Sequence, residues 1–144
     1  MINRIKIEDV LSNGGVYTST TSGVSMMPML RDRRDTIIVE PSTERLKKYD
    51  VALYKRGEDY VLHRVIKVLP DSYVIRGDNC VAKEYGITDA DVLGKLTGFY
   101  RGDKKINMNG VPYRVYCFVS VAAHSLVRLY VILGTKLSRK KKRD

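Results

Sequence analysis

The sequence predicts a mainly β domain of short antiparallel strands, followed by a C-terminal amphipathic α-helix. Between residue 16 and about residue 107, short apolar or alternating runs are separated by turn residues, as in half-buried strands. Beyond Pro112 the apolar residues repeat with a helical period instead. A length of 144 residues suits one compact domain with a short appendage. We therefore predict a β-rich domain over residues 1–109, a helix over 110–135 and a basic tail over 136–144.

Each predicted element has a local signal. A short helix over residues 6–12 is expected to end at the Asn-Gly-Gly sequence of residues 13–15. The predicted strands are bounded by turn residues rich in Gly, Pro, Asp and Ser, and they cover residues 16–21, 35–40, 50–55, 60–69, 72–76, 92–100 and 105–107. In the C-terminal helix, Arg114, Ser125 and Arg128 form a narrow polar stripe, and Gly134 marks its expected end.

Composition and charge exclude several classes of protein. Hydrophobic residues make up 44% of the chain, too many for a wholly disordered protein. Lys and Arg number 26 against 16 for Asp and Glu, a net charge of +10 that favours an anionic neighbour. Half of that surplus lies in residues 136–144. Two cysteines, Cys80 and Cys117, give no sign of a disulfide-stapled secreted domain.

No secretory signal is expected at the start of the chain, because charged and apolar residues alternate over residues 1–10. The apolar stretch over residues 115–127 is shorter than the roughly 20 residues that span a bilayer. We therefore expect it to be buried or interfacial. The sequence predicts a cytoplasmic protein and leaves peripheral contact with an anionic membrane open, because an interfacial helix followed by basic residues is a typical membrane anchor.

Ser25 is the candidate nucleophile. It lies in a turn-prone segment, Ser-Gly-Val-Ser-Met-Met-Pro-Met-Leu over residues 22–30, between a strand and a new element. A nucleophilic serine needs such a position, with a base nearby and free backbone amides to hold an oxyanion. The backbone amides of Gly23 and Ser25 are the candidates for this oxyanion site. The alternative is that Ser25 is only a turn residue.

Three boxes, in order, resemble the superfamily of signal peptidase I and LexA-like serine peptidases. Gly-Val-Ser-Met-Met-Pro at 23–28 is similar to the box around the nucleophile, residues 50–54 and 60–66 to the strand pair that carries the base, and Arg-Gly-Asp-Asn at 76–79 to the Gly-Asp-Asn box. His63 stands at the base position, as in the archaeal and endoplasmic-reticulum branch. The resemblance implies the LexA-like β fold and a Ser25–His63 peptidase. The 24 residues before Ser25 are expected to hold no membrane anchor.

The chemistry of His63 agrees with the resemblance. On an alternating strand His63 shares a face with Val61 and Val65, and an imidazole with a pKa of about 6.5 can accept the Ser25 proton near neutral pH. A carboxylate is expected to orient the ring, and Asp78 is our first choice. The resemblance implies Glu84 as the second choice, because the His-type branch commonly has another acid six residues after this aspartate. The alternatives are a half-buried structural histidine and a Gly-Asp-Asn sequence that only forms a turn.

The sequence thus favours a serine endopeptidase that cleaves leader or other extended peptide segments of a peptide or protein substrate. The alternative is a non-catalytic module of the same fold that binds peptides or a membrane surface. Nucleic acid is disfavoured as a partner, because no aromatic residues interleave with the basic tail. No cofactor or metal is expected, since His63, His124, Cys80 and Cys117 lack short ligand spacing. The oligomeric state stays open.

Overall fold

Eight strands and three helices make up the fold in a computed structural model that describes residues 6–141. The elements in chain order are α1 Ile7–Ser12, β1 Tyr17–Thr20, β2 Asp35–Glu40, β3 Val51–Arg56, β4 Asp59–Val68, β5 Tyr73–Arg76, β6 Glu84–Ile87, β7 Val92–Arg101, β8 Lys104–Ile106, α2 Val111–Ala122 and α3 His124–Lys141. The predicted fold class, mainly β with a helical C-terminal segment, is confirmed.

The strands form one antiparallel sheet in the order β1-β2-β7-β3-β4-β5-β6, with β8 paired to β7. Strand β6 is the one strand within the described residues that the sequence analysis missed. Its four residues, Glu-Tyr-Gly-Ile, are too few to give a clear periodic signal, their burial does not alternate, and Gly86 has a φ of +74°. The strand is held by its pairing with β5 at the edge of the sheet, which is a tertiary contact rather than a local propensity.

Strand β3 separates two hydrophobic clusters. Successive strand residues face opposite sides of a sheet. Val51 and Leu53 therefore pack into the first cluster, which includes Met26, Met29, Leu30 and Phe99, while Ala52 and Tyr54 pack into the second with Val61, Val65 and Tyr73. The first cluster includes residues that follow Ser25 in the chain, so the loop that carries Ser25 is anchored in the core.

The C-terminal segment contains two helices where the sequence predicts a single helix over residues 110–135. The chain leaves helical geometry at Ala123, with φ −117° and ψ 40°, and the two helix axes meet at 100°. This bend lets α2 bury Cys117 and Ser120 against the sheet and still brings Val131 of α3 into a buried position. A straight helix would carry the residues after 123 away from the domain.

Helix α3 also continues to Lys141, through most of the segment predicted as a tail, and residues 142–144 lie outside the described part of the chain. No single helix within residues 6–141 has the length and apolar character needed to cross a membrane. Helix α2 together with residues 124–137 meets that criterion only as a bent pair.

A buried ion pair joins the sheet to α2. Arg64, on β4, donates two hydrogen bonds of 2.8 Å to the carboxylate of Asp78, and both side chains are fully buried. Arg64 also donates to Tyr113 Oη at 3.2 Å and to Met29 Sδ at 3.1 Å, and Tyr116 Oη donates to Asp78 at 2.7 Å. Burial alone would lower the pKa of Arg64, but the Asp78 carboxylate outweighs it and raises that pKa.

We expect Asp78→Ala to lower the free energy of unfolding by about 3–5 kcal/mol, because it leaves the Arg64 charge buried without its partner. Urea denaturation monitored by circular dichroism measures the change. The matched control is Asp71→Ala, which removes an exposed carboxylate from the turn between β4 and β5 and should cost less than about 0.5 kcal/mol. Equal stabilities of the two variants would contradict the role given to the pair.

Candidate active site

Ser25 lies in the loop between β1 and β2. The two ends of this loop are joined, because Thr21 N donates to Asp35 O and Arg33 N donates to Thr21 O, both at 2.8 Å. Within the loop Gly23 has a φ of +91°, a conformation that favours glycine, and its amide donates to Asp32 Oδ1 at 2.9 Å. These contacts fix the loop around Ser25, which is half-buried.

His63 is positioned by the β3–β4 hairpin. It pairs with Ala52 across the hairpin, and Tyr54 is its diagonal neighbour on the same face. The imidazole is buried, and its Nδ1 lies 3.1 Å from Tyr54 Oη and 3.4 Å from Glu84 Oε1. Tyr54 Oη in turn lies 2.8 Å from Glu84 Oε1. His63, Tyr54 and Glu84 thus form a polar cluster, and Arg56 Nη1 donates to the same Glu84 Oε1 at 2.8 Å.

This cluster selects the tautomer of His63. The Glu84 carboxylate only accepts hydrogen bonds, so the single proton of Tyr54 Oη is donated to it. The phenolic oxygen is then an acceptor for His63, which must carry its proton on Nδ1. Burial raises the pKa of Tyr54, as does the hydrogen bond to Glu84, so the phenol keeps its proton at neutral pH. The lone pair of neutral His63 is consequently on Nε2, as a general base requires.

Burial lowers the pKa of His63 below its ordinary value of 6.5, and the positive charge of Arg56 acts in the same direction. The negative charge of Glu84 opposes these effects in part. His63 is therefore neutral at pH 7, the protonation state in which it can take a proton.

The turn after β5 brings His63 and the Ser25 loop together. Asn79 N donates to Ser25 O at 2.8 Å, and Asn79 Nδ2 donates to Val24 O at 3.2 Å. A Cβ atom at Gly77 would lie 2.7 Å from Ser25 O and 3.0 Å from His63 Nε2. A side chain at position 77 would therefore clash with the Ser25 backbone and crowd His63 Nε2, so this position must be glycine.

Ser25 and His63 line the same open pocket, which has a volume of about 640 Å³. Glu84 and Cys80 also line it, together with residues of β1, Leu53 and Leu62. Within residues 6–141 the Ser25 hydroxyl makes no hydrogen bond, so the contact with His63 is not formed in this structure. Catalytic hydrogen bonds commonly tighten only when substrate binds.

The predicted site residues are thus brought together with one exception. The structure places Asp78, our first choice for orienting His63, in the ion pair with Arg64, and Glu84 is the carboxylate beside the imidazole. Of the two oxyanion candidates, the Gly23 amide is occupied by Asp32, whereas the Ser25 amide makes no hydrogen bond within residues 6–141. One of the two predicted oxyanion amides, that of Ser25, is therefore available to bind an oxyanion.

No role was predicted for Tyr54 from the sequence. The only signal for it is the hairpin register, which places residue 54 diagonally across from residue 63. Cys80 is a poor rival nucleophile, because burial raises the pKa of its thiol and keeps it protonated.

No protein-family model and no curated protein matches this chain. The interpretation of the site therefore depends on its geometry and chemistry.

Charge-removing variants at Glu84 and Arg56 should move the pKa of His63 in opposite directions. Glu84→Gln removes the negative charge that stabilises the imidazolium, so this pKa should fall further. Arg56→Gln removes an opposing positive charge, so the pKa should rise. Proton NMR titration of the imidazole resonances measures both. The chain has two histidines, and His124 serves as the internal reference. A His63 pKa that is unchanged in both variants would contradict the proposed cluster.

Gly77→Ala should disrupt the site, because the added methyl group would lie 2.7 Å from both Ser25 O and Cys80 Sγ and 3.0 Å from His63 Nε2. Gly98→Ala on β7 is the control, since its Cβ would meet its nearest neighbour, Lys105 Cε, at an ordinary 3.5 Å. We expect the chemical shifts of the His63 ring to change in Gly77→Ala and to be retained in Gly98→Ala. Unchanged His63 resonances in Gly77→Ala would show that the close approach does not exist.

Proposed function

We propose that the protein is a serine endopeptidase in which Ser25 is the nucleophile and His63 the general base. The observation that carries this proposal is the His63 cluster. The ring is held by Tyr54 and Glu84 in the tautomer that leaves Nε2 free, and Nε2 faces the turn that is bonded to Ser25. The resemblance of the three sequence boxes to signal-peptidase-like enzymes is an independent argument for the same assignment.

In the proposed reaction the Ser25 oxygen attacks the scissile carbonyl while His63 Nε2 accepts the hydroxyl proton. The negative charge that develops on the carbonyl oxygen is stabilised by the free Ser25 amide. The tetrahedral intermediate then collapses as the protonated His63 donates its proton to the leaving amine, which leaves an acyl group on Ser25. Water, deprotonated by His63, hydrolyses this ester and restores the hydroxyl group. Glu84 and Tyr54 orient His63 throughout, and the Glu84 charge stabilises the imidazolium.

The substrate class that fits the pocket is an extended peptide, such as a leader segment. Among residues 6–141, strand β1 is an edge of the sheet, and no strand in that range pairs with its outer backbone groups, which an added strand could do. Tyr17 and Ser19, which share one face of β1, line the pocket that contains Ser25. A peptide paired to β1 would therefore present its side chains toward the nucleophile.

Labelling with activated serine probes tests the proposal. We expect a fluorophosphonate or a penem to form an adduct on Ser25, located by mass spectrometry. The adduct should be absent in Ser25→Ala, and labelling should slow by at least about a thousandfold in His63→Ala. As the pH decreases, the labelling rate should reach half of its maximum only at a pH below 6.5, because His63 must be neutral and burial lowers its pKa.

Two variants serve as controls. Ser22→Ala removes a neighbouring hydroxyl from the same pocket, and Cys80→Ala removes the adjacent thiol. Both should keep wild-type labelling. If neither probe labels the wild-type protein, the peptidase assignment is wrong and a non-catalytic peptide-binding module becomes the better interpretation. An adduct on Cys80 would equally overturn the role of Ser25.

A further inference from the structure

Helix α2 carries its polar residues other than Arg114 on the inside, and its exposed surface is largely apolar. Its inner face consists of Tyr113, Tyr116, Cys117 and Ser120, each of which contacts a buried charged side chain: Arg64, Asp78 or Arg76. The outer stripe is Val111, Val115 and Phe118, whose side chains are 70%, 55% and 62% exposed. This arrangement is the reverse of that in an ordinary surface helix.

Helix α3 repeats the pattern. Val131 is buried on its inner side, while an exposed stripe at helical spacing is formed by Leu126, Leu129, Tyr130, Leu133 and Leu137. Among residues 6–137, ten of the sixteen large apolar side chains that are exposed belong to α2 and α3. The sheet domain, although much larger, leaves few such side chains uncovered. We call the exposed stripes of α2 and α3 together the helical apolar face.

The C-terminal part of the chain, from residue 104 onward, holds nine of the ten net positive charges. Residues 104–143 contain ten Lys and Arg residues and no Asp or Glu, whereas residues 1–103 contain sixteen basic and fifteen acidic residues. An exposed apolar surface next to a purely basic segment is complementary to a surface that is both apolar and anionic.

We propose that the helical apolar face docks the protein on an anionic phospholipid bilayer, with α2 and α3 lying in the interface. At about 1.5 Å per residue, the 12 residues of α2 and the 18 of α3 are about 18 Å and 27 Å long. Each is shorter than a bilayer core of about 30 Å, and the 100° bend allows both to rest on one plane. The proposal does not depend on the peptidase activity.

The charge distribution argues against a second copy of the chain as the occupant of this face. A symmetric dimer through the helical apolar face would bring two copies of residues 104–143 together, each with ten positive charges and no negative ones. Anionic lipid headgroups instead neutralise these charges while the acyl chains cover the apolar stripes.

A single introduced tryptophan tests the docking directly, because the chain has none of its own. We expect the emission of Phe118→Trp to shift to shorter wavelength on vesicles of phosphatidylcholine with phosphatidylglycerol, and to stay unchanged on phosphatidylcholine alone. Tyr85→Trp is the matched control: Tyr85 is 69% exposed but lies on β6, and its emission should not respond to either vesicle.

Co-sedimentation with the same anionic vesicles separates the electrostatic contribution to binding from the contribution of the apolar stripes. Replacing Lys140, Lys141, Lys142 and Arg143 by Gln should weaken binding at least about a hundredfold, since each basic residue adds to the attraction. Val115→Ser with Phe118→Ser should also release the protein from the vesicles, and Val81→Ser, an exposed apolar position outside the helices, should not.

Three results would overturn the proposal. The first is an unshifted Phe118→Trp emission on anionic vesicles. The second is a shift that grows with protein concentration in the absence of lipid, which would identify a second copy as the occupant. The third is protein that resists extraction from the vesicles at strongly alkaline pH, which would indicate a bent membrane span rather than an interfacial pair. All three can be measured with Ser25→Ala, so they are independent of catalysis.

Discussion

The ion pair between Arg64 and Asp78 is the interaction on which the other parts of this structure depend. It is fully buried, and its hydrogen bonds reach β4, the turn after β5 and α2, while a contact to Met29 Sδ reaches the loop that carries Ser25. A charge buried in this way must have its partners in place, because an unpaired ion in the interior is strongly destabilising. The pair therefore constrains how these four segments meet, in a way that apolar packing, which tolerates small shifts, does not.

The alternation of strand β4 couples this pair to the candidate site. Arg64 and His63 are adjacent residues, so their side chains lie on opposite faces of the sheet: Arg64 faces α2, and His63 faces Tyr54 and Glu84. A one-residue shift of register would exchange the two faces and would place both groups in the wrong surroundings. The turn that contains Gly77 and Asp78 also serves both the ion pair and the candidate site. Asp78 pairs with Arg64, while Gly77 gives His63 room beside Ser25.

Much of the fold follows from local patterns, and the strands other than β6 lie within two residues of their predicted bounds. Alternation specifies which residues are buried but not which polar groups meet. The choice of Glu84 over Asp78 as the partner of His63 depends on the pairing of β5 with β6, a strand with no pattern of its own. The bend at Ala123 was missed for a related reason. A helical period continues through this residue, and the bend that brings Val131 of α3 into a buried position is a tertiary feature that the period does not encode.

The inverted character of α2 has the same origin as the site. Because Arg64 and Asp78 are buried against α2, its inner face must supply hydroxyl and thiol groups, and Tyr113, Tyr116 and Cys117 do so. Burial raises the pKa of Tyr113 to about 12, so this hydroxyl stays neutral next to the ion pair. The apolar residues of the helix are then left to the outside, where the exposed stripe of α3 and the basic residues extend the surface. The pair that orders the core beneath Ser25 and His63 thus also determines which face of the molecule is apolar.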